Sequence, residues 1–228
     1  MMRAEAYAMN RATRAPARLS LLLTLTTLSA AALAPVPAAA DTTVGLEGGW
    51  FDLTNSRRSA KAVFGSAAGG FTGGASLRLG LGRSFFVTGG ARYFERTGER
   101  VFVVDATSPV FRLGHPLKFR QIPVYALLGY RVQGRRSPWM FYLGAGPGAV
   151  FMHEESEVGG LTEGVVDQTK ASAHVAGGFE HGRGGLRWGL EIMYTLVPDS
   201  LGVGGVSQIY GEKDAGGFTA VARVGFGL

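Results

Sequence analysis

Three clusters in the chain have residue types that could do chemistry. Ser172, His174 and Glu180 supply a nucleophile, a base and an orienting carboxylate, the side chains of a hydrolase triad. His153-Glu154-Glu155 offers metal-ligating atoms. Gly144-Ala145-Gly146-Pro147-Gly148 has the glycine density of a phosphate loop. In each case the spacing argues against the chemistry. The three triad types lie at even positions of one alternating segment, so on a strand they spread along a line and do not converge. Adjacent residues make a poor metal-ligand set, and a solvated acidic loop is the better account of 153–155. No helix follows the glycine run to present its N-terminus to a phosphate, and small residues fitting a crowded sheet explain it better. Cysteine is absent, which removes thiol chemistry and disulfides. The sequence therefore leads to no catalytic residue, no metal and no cofactor.

The elements that carry these residues are strands. The last segment, Phe218-Thr219-Ala220-Val221-Ala222-Arg223-Val224-Gly225-Phe226-Gly227-Leu228, keeps its bulkier apolar residues at even positions. A period of two is the strand period. Seven more segments read the same way: about 43–54, 70–80, 84–95, 121–132, 139–152, 170–180 and 186–197. Each is near the roughly 9–11 residues of a tilted membrane-spanning strand. The connections alternate in length. Those at 81–83, 133–138 and 181–185 are short, and those at 55–69, 96–120, 153–169 and 198–215 are long. An up-and-down membrane barrel has short turns on one side and long loops on the other.

On the apolar face, Phe85, Tyr130, Trp139, Phe179, Trp188 and Phe226 fall at short-turn ends. Trp50, Phe71, Tyr93, Phe151, Tyr194 and Phe218 fall toward long-loop ends. Two aromatic rings bracketing an aliphatic band are what two membrane–water interfaces select. A soluble barrel, apolar inside, has no reason to sort aromatics to its rims.

The N-terminus reads as a secretory signal peptide, residues 1–40. Arg3, Arg11, Arg14 and Arg18 precede an apolar stretch at 19–34, and Ala38-Ala39-Ala40 forms a small-residue cleavage site before Asp41. Met9 offers a second start with a more ordinary basic region. Removing the leader's four arginines and one glutamate lowers the net charge from +6 to +3, so basicity is a weak argument for nucleic acid, and no nucleic-acid partner is expected. All 36 glycines lie after residue 40, far above the roughly 7% of a globular domain.

The segment 41–228 resembles the small eight-stranded outer-membrane β-barrels, the group of the OmpA transmembrane domain and OmpX. The resemblance rests on the leader, the alternation, Val224-Gly225-Phe226-Gly227-Leu228, Ile122-Pro123-Val124-Tyr125-Ala126-Leu127-Leu128-Gly129-Tyr130 and Tyr142-Leu143-Gly144-Ala145-Gly146. It implies an all-β, antiparallel up-and-down transmembrane barrel in the bacterial outer membrane. It also implies a monomer whose partners are outer-membrane lipid, lipopolysaccharide and, during biogenesis, the barrel-assembly machinery. The family usually ends in Phe, so Leu228 departs from the assembly signal. With nothing after the eighth strand, no peptidoglycan-binding domain is expected.

The polar face of the strands holds Glu47, Arg78, Arg92, Arg131, Glu180, Arg187, Glu191 and Arg223, with Tyr125, Tyr142 and His174. Inside a narrow barrel buried charges must pair, so these eight form the expected lumen network, with Arg223 between Glu47 and Glu191 at its centre. Among the loop cations, Arg57, Arg58, Lys61, Lys118 and Arg120 are candidates for contact with lipopolysaccharide phosphates. The function expected is non-enzymatic: anchoring four extracellular loops for envelope integrity, lipopolysaccharide or surface contact. The alternatives are a narrow pore, which needs a lumen cleared of large side chains, and a lipid A-modifying enzyme, which needs polar residues opening toward lipid.

Overall fold

A computed structural model describes residues 42–65, 67–134, 137–158, 161–183, 185–202 and 204–228. The expected leader and its cleavage site lie outside the described residues. The elements, in order, are β1 (Thr42–Asp52), α1 (Arg57–Phe64), β2 (Gly69–Leu81), β3 (Phe85–Phe102), β4 (Phe111–Gln133), β5 (Trp139–Val158), β6 (Leu161–Arg183), β7 (Leu186–Leu196), α2 (Gly205–Ile209) and β8 (Gly217–Gly227). The eight strands pair antiparallel with their sequence neighbours, and β1 pairs with β8 to close the ring. The chain is therefore an eight-stranded up-and-down barrel, as its alternation implies.

The inside–outside assignment follows the same alternation. Val44, Leu46 and Trp50 of β1 face out, while Thr43, Glu47 and Phe51 are buried. The pattern runs around the ring, from Phe71, 69% exposed, to Leu190, 51% exposed. Near the short turns, Phe85 meets Tyr130 at 5.4 Å and Trp139 meets Trp188 at 6.3 Å between ring centroids. At the opposite end, Tyr194 meets Phe218 at 4.8 Å. Among the described residues no helix is long and apolar enough to cross a membrane. A barrel crosses with strands, and closure leaves no backbone edge in the spanning zone to go unpaired.

Two of the four long connections differ from expectation. Most of 96–120 and 153–169 is strand. β3 and β4 continue past the barrel rim, paired from Glu95↔Arg120 to Phe102↔Phe111. β5 and β6 do the same up to Val158↔Leu161. These stretches carry Thr97, Lys118, Glu155 and Asp167 on the outer face, while Leu117 and Phe119 are buried on the inner one, so the outward apolar row stops at the rim although the ladder continues. Lys118 and Arg120 consequently lie on β4, and His153-Glu154-Glu155 lies on β5, not on loops.

The other two long connections fold over the barrel mouth. Leu53, Ala60, Ala68, Val197 and Ala215 from these connections pack on Phe51, Phe94, Phe119, Val150 and Met152 from the strand ends. Polar contacts fix them in place. Glu212 accepts the backbone N–H groups of Arg58 and Ser59 at 2.9 and 2.8 Å and the Ser59 hydroxyl, satisfying orphan donors at the start of α1. Asp214 accepts the N–H groups of Val197 and Gly216 at 2.9 and 2.6 Å, pinning both ends of the last connection. An apolar plug thus closes one end of a polar lumen.

Glycine makes room for the rings inside. A Cβ at Gly129 would stand 2.1 Å from the Phe86 ring, and Phe86 is itself fully buried. Gly129→Val should therefore destabilise the barrel by about 1–3 kcal/mol through overpacking. Gly48→Val, on the outer face where the nearest neighbour is a Phe71 ring carbon at 3.7 Å, should be neutral or slightly stabilising. Urea unfolding of both variants in the same lipid checks the difference.

Candidate functional site

The strands bring six charges together in the lumen. Glu47 of β1 stands opposite Arg223 of β8 and Gly74 of β2, so glycine on one side leaves space for long side chains from the other. Arg92 donates Nε to Glu47 Oε2 at 2.8 Å, and its Nη2 lies 2.7 Å from the same oxygen. The same Nη2 also donates to Glu191. Arg78 donates Nη1 to Glu180 at 2.7 Å and Nε to Thr88 at 3.3 Å. Its guanidinium lies 4.3 Å from the Tyr142 ring centroid and 4.7 Å from that of Phe86. Hydroxyls complete the acceptors: Ser76 and Tyr125 donate to Glu47 at 2.7 and 3.4 Å, and Tyr142 donates to Glu191 at 2.8 Å. Three carboxylates meet three guanidiniums, and all six residues are buried.

Arg223 lies within ion-pair reach of Glu47 and Glu191, as expected, but it does not make the short bonds to them. It reaches Glu180 at 3.4 Å, Glu47 at 3.8 Å and Glu191 at 3.9 Å. It makes no hydrogen bond to these carboxylates, and its attraction is spread over all three. The guanidinium that bridges Glu47 and Glu191 directly is that of Arg92. The register explains this: Glu191 faces Val221, and Arg223 faces Gly189. Arg223 therefore sits two residues nearer the short turns than Glu191. Two further cations lie toward those turns. Arg131 donates to the carbonyls of Arg83 and Gly82 at 3.3 and 3.2 Å, and Arg187 lies 3.5 Å from the Met140 sulfur.

Ser172 and His174 do meet, with Oγ 2.8 Å from Nε2, because same-face neighbours on a strand are in reach. On its other side His174 contacts Thr195 at 3.0 Å, and its ring packs on Tyr125. Glu180 is committed to Arg78. The pair is buried with a hydroxyl, not a carboxylate, behind the imidazole, which is not the arrangement of a triad. Among the described residues no cluster of His, Asp and Glu could hold a metal ion.

The candidate anion contacts divide into two sets. Lys118 and Arg120 both pair with Glu95, at 3.2 and 2.7 Å. The Tyr93 hydroxyl and the Arg120 guanidinium hold the Glu95 carboxyl down to about 2. Those two cations are already partly neutralised. Arg57, Arg58 and Lys61 project exposed from α1, and among the described residues no acidic side chain lies within ion-pair distance of them. Sequence reasoning passed over Glu95, Ser76, Thr88 and Thr195 as partners. Their positions in the alternation place them on the right face, but their pairing depends on register between strands.

A closed antiparallel barrel of eight strands, charged within and apolar without, is the class that this geometry defines. No known family matches the chain, and no curated protein matches it. Among solved structures it is similar to the neisserial surface protein NspA, at 14% identity and TM-score 0.46, over 83% of this chain and 96% of that one. It is also similar to the N-terminal β-barrel domain of Pseudomonas aeruginosa OprF, at 10% identity and TM-score 0.45, over 82% and 98%. A third is Ail, the attachment invasion locus protein of Yersinia pestis, in complex with the heparin analogue sucrose octasulfate, at 12% identity and TM-score 0.45, over 82% and 96%.

The network yields a ranking. Arg92→Met removes the guanidinium hydrogen-bonded to both Glu47 and Glu191 and leaves them the longer contacts to Arg223, which should cost about 3–5 kcal/mol. Arg223→Met loses only the longer contacts and should cost less. Equilibrium unfolding of both variants in lipid vesicles measures the order, and the reverse order would place the centre at Arg223.

Proposed function

We propose that this protein is a non-enzymatic outer-membrane barrel that carries a folded extracellular surface on a sealed transmembrane stem. The observation that carries the reading is the inversion of polarity. Large apolar and aromatic side chains stand exposed around the outside, while six paired charges fill the inside. Water would leave that exterior uncovered, and a contiguous apolar surface of this kind calls for lipid. The two aromatic rows supply the interfacial anchors, and the expected leader supplies the route of export.

A pore needs an open lumen, and here Arg78, Arg92, Arg223, Tyr125 and Tyr142 occupy it beneath the apolar plug. A lipid-modifying enzyme needs its polar constellation toward lipid, and Ser172 and His174 point inward. Leu190→Arg, on the lipid face near mid-strand, should cost about 2–4 kcal/mol in a bilayer. Val165→Arg, on the part of β6 beyond the rim, should be nearly neutral. Unfolding titrations in vesicles test this, and equal costs would sink the membrane assignment.

The surface presented to the outside is the likewise proposed seat of function, with α1 as its anion-contacting part. Arg57, Arg58 and Lys61 are exposed, and among the described residues their side chains form no ion pair; such cations form charge-assisted bonds with phosphate oxygens. The triple change to glutamine should weaken binding of purified lipopolysaccharide severalfold at low salt and reduce its salt dependence. The double change of Lys118 and Arg120 to glutamine should do less, because Glu95 already holds both. Binding isotherms for the two variants in nanodiscs compare them.

A further inference from the structure

Above the apolar plug lies a cavity of about 280 Å³, bounded by α1, α2 and the inner faces of the β3, β4 and β5 extensions. Its wall is mostly apolar, with Leu53, Ala60, Phe64, Leu117 and Phe119 contributing. Two charges interrupt that wall. Glu154 of β5 sits opposite Phe119 of β4 and Val166 of β6, on the inward side of its strand. It is half-buried, and among the described residues its carboxylate accepts no hydrogen bond. Burial raises its pKa, and Arg100 opposes the rise through space. Arg100 and Glu154 line the same cavity without closing into an ion pair.

Arg100 reaches the cavity by ordinary alternation, on the face of β3 that carries Arg92 and Phe94. The β3–β4 register shifts between Glu99 and Val101. Strict alternation sends successive side chains to opposite faces, yet beside this shift Val101 lines the cavity together with Arg100. A bulge re-aims a side chain in this way, and bulges concentrate where binding sites are built. The half-buried carboxylate stands in a mostly apolar wall without a hydrogen-bond donor among the described residues, so a ligand's cationic group finds an open acceptor there.

We propose that this cavity binds a small zwitterion with an apolar body, of the class of a free amino acid with an apolar side chain. The ammonium group takes the open position at Glu154, the carboxylate faces Arg100, and the side chain lies on Leu53, Phe64 and Phe119. The volume is close to the small end of ligand sites, roughly 300 Å³, which suits a molecule the size of one residue. The exposed Arg100 is screened by solvent, so the Glu154 contact dominates.

The test uses the intact barrel in lipid nanodiscs and three probes that share one ring: phenylalanine, phenethylamine without the carboxylate, and 3-phenylpropanoate without the ammonium. Titration calorimetry or saturation-transfer NMR should show saturable binding in the order phenylalanine, phenethylamine, 3-phenylpropanoate, with the last weaker by on the order of tenfold. Glu154→Gln should weaken phenylalanine by a similar factor and leave 3-phenylpropanoate unchanged. Absence of saturable phenylalanine binding, equal binding of the three probes, or a Glu154→Gln barrel that binds phenylalanine as the unmutated one does would each overturn the proposal. If that variant fails to fold, the three-probe ranking on the unmutated protein decides alone. Either result leaves the barrel's place in the membrane untouched, since the cavity lies beyond the spanning strands.

Discussion

Charge pairing inside a narrow ring governs the architecture. An interior just wide enough for side chains cannot hold an unpaired carboxylate, and it cannot hold an empty space either. Glu47, Glu180 and Glu191 enter from β1, β6 and β7, and Arg78, Arg92 and Arg223 enter from β2, β3 and β8. No two of the six share a strand, so the network fixes the relative heights of six strands at once. A one-residue slip of any strand would turn its charge toward the apolar exterior. The network therefore specifies register as well as filling space, which is the best-attested use of buried ionic groups.

Glycine and tyrosine make that network possible. Tyr125 crosses the lumen because Gly90, opposite it on β3, has no side chain: a Cβ there would stand 2.6 Å from the Tyr125 hydroxyl oxygen. The hydroxyl then reaches Glu47 on the far wall. Gly74, Gly178 and Gly189 face Arg92, Glu191 and Glu180 across the ladder in the same way.

The parts of the molecule that were legible in sequence are those with a short period. Alternation is local, so strand number, strand faces and the two aromatic rows could be read residue by residue. Glu47, Arg78, Arg92, Glu180, Glu191 and Arg223 were legible as inward for the same reason. Their partners were not, because partnership depends on register and side-chain reach across the lumen. Arg92 lies on β3 and bridges β1 and β7, a geometry with no local signature. The extended hairpins were hidden for a related reason. Beyond the rim the outer face of a strand meets water, so Thr97, Lys118, Glu155 and Asp167 break the outward apolar row although the ladder continues. Glu212 capping α1 from some 150 residues away is likewise invisible to a local reading.

The cavity and the network illustrate opposite solutions to one problem. In the lumen every carboxylate has a guanidinium partner, and the space around it is filled. Beyond the plug, Glu154 and Arg100 line one cavity without closing into an ion pair. In the lumen Glu47, Gly74 and Arg92 stand level on three neighbouring strands, and the two charges meet over the glycine. Glu154 stands level with Phe119 and Arg96, so Arg100 lies four residues farther along β3, an offset of roughly 13 Å. The same ladder that levels the lumen charges sets these two at different heights, and that difference in register separates the structural charge cluster from the pair proposed to take a ligand.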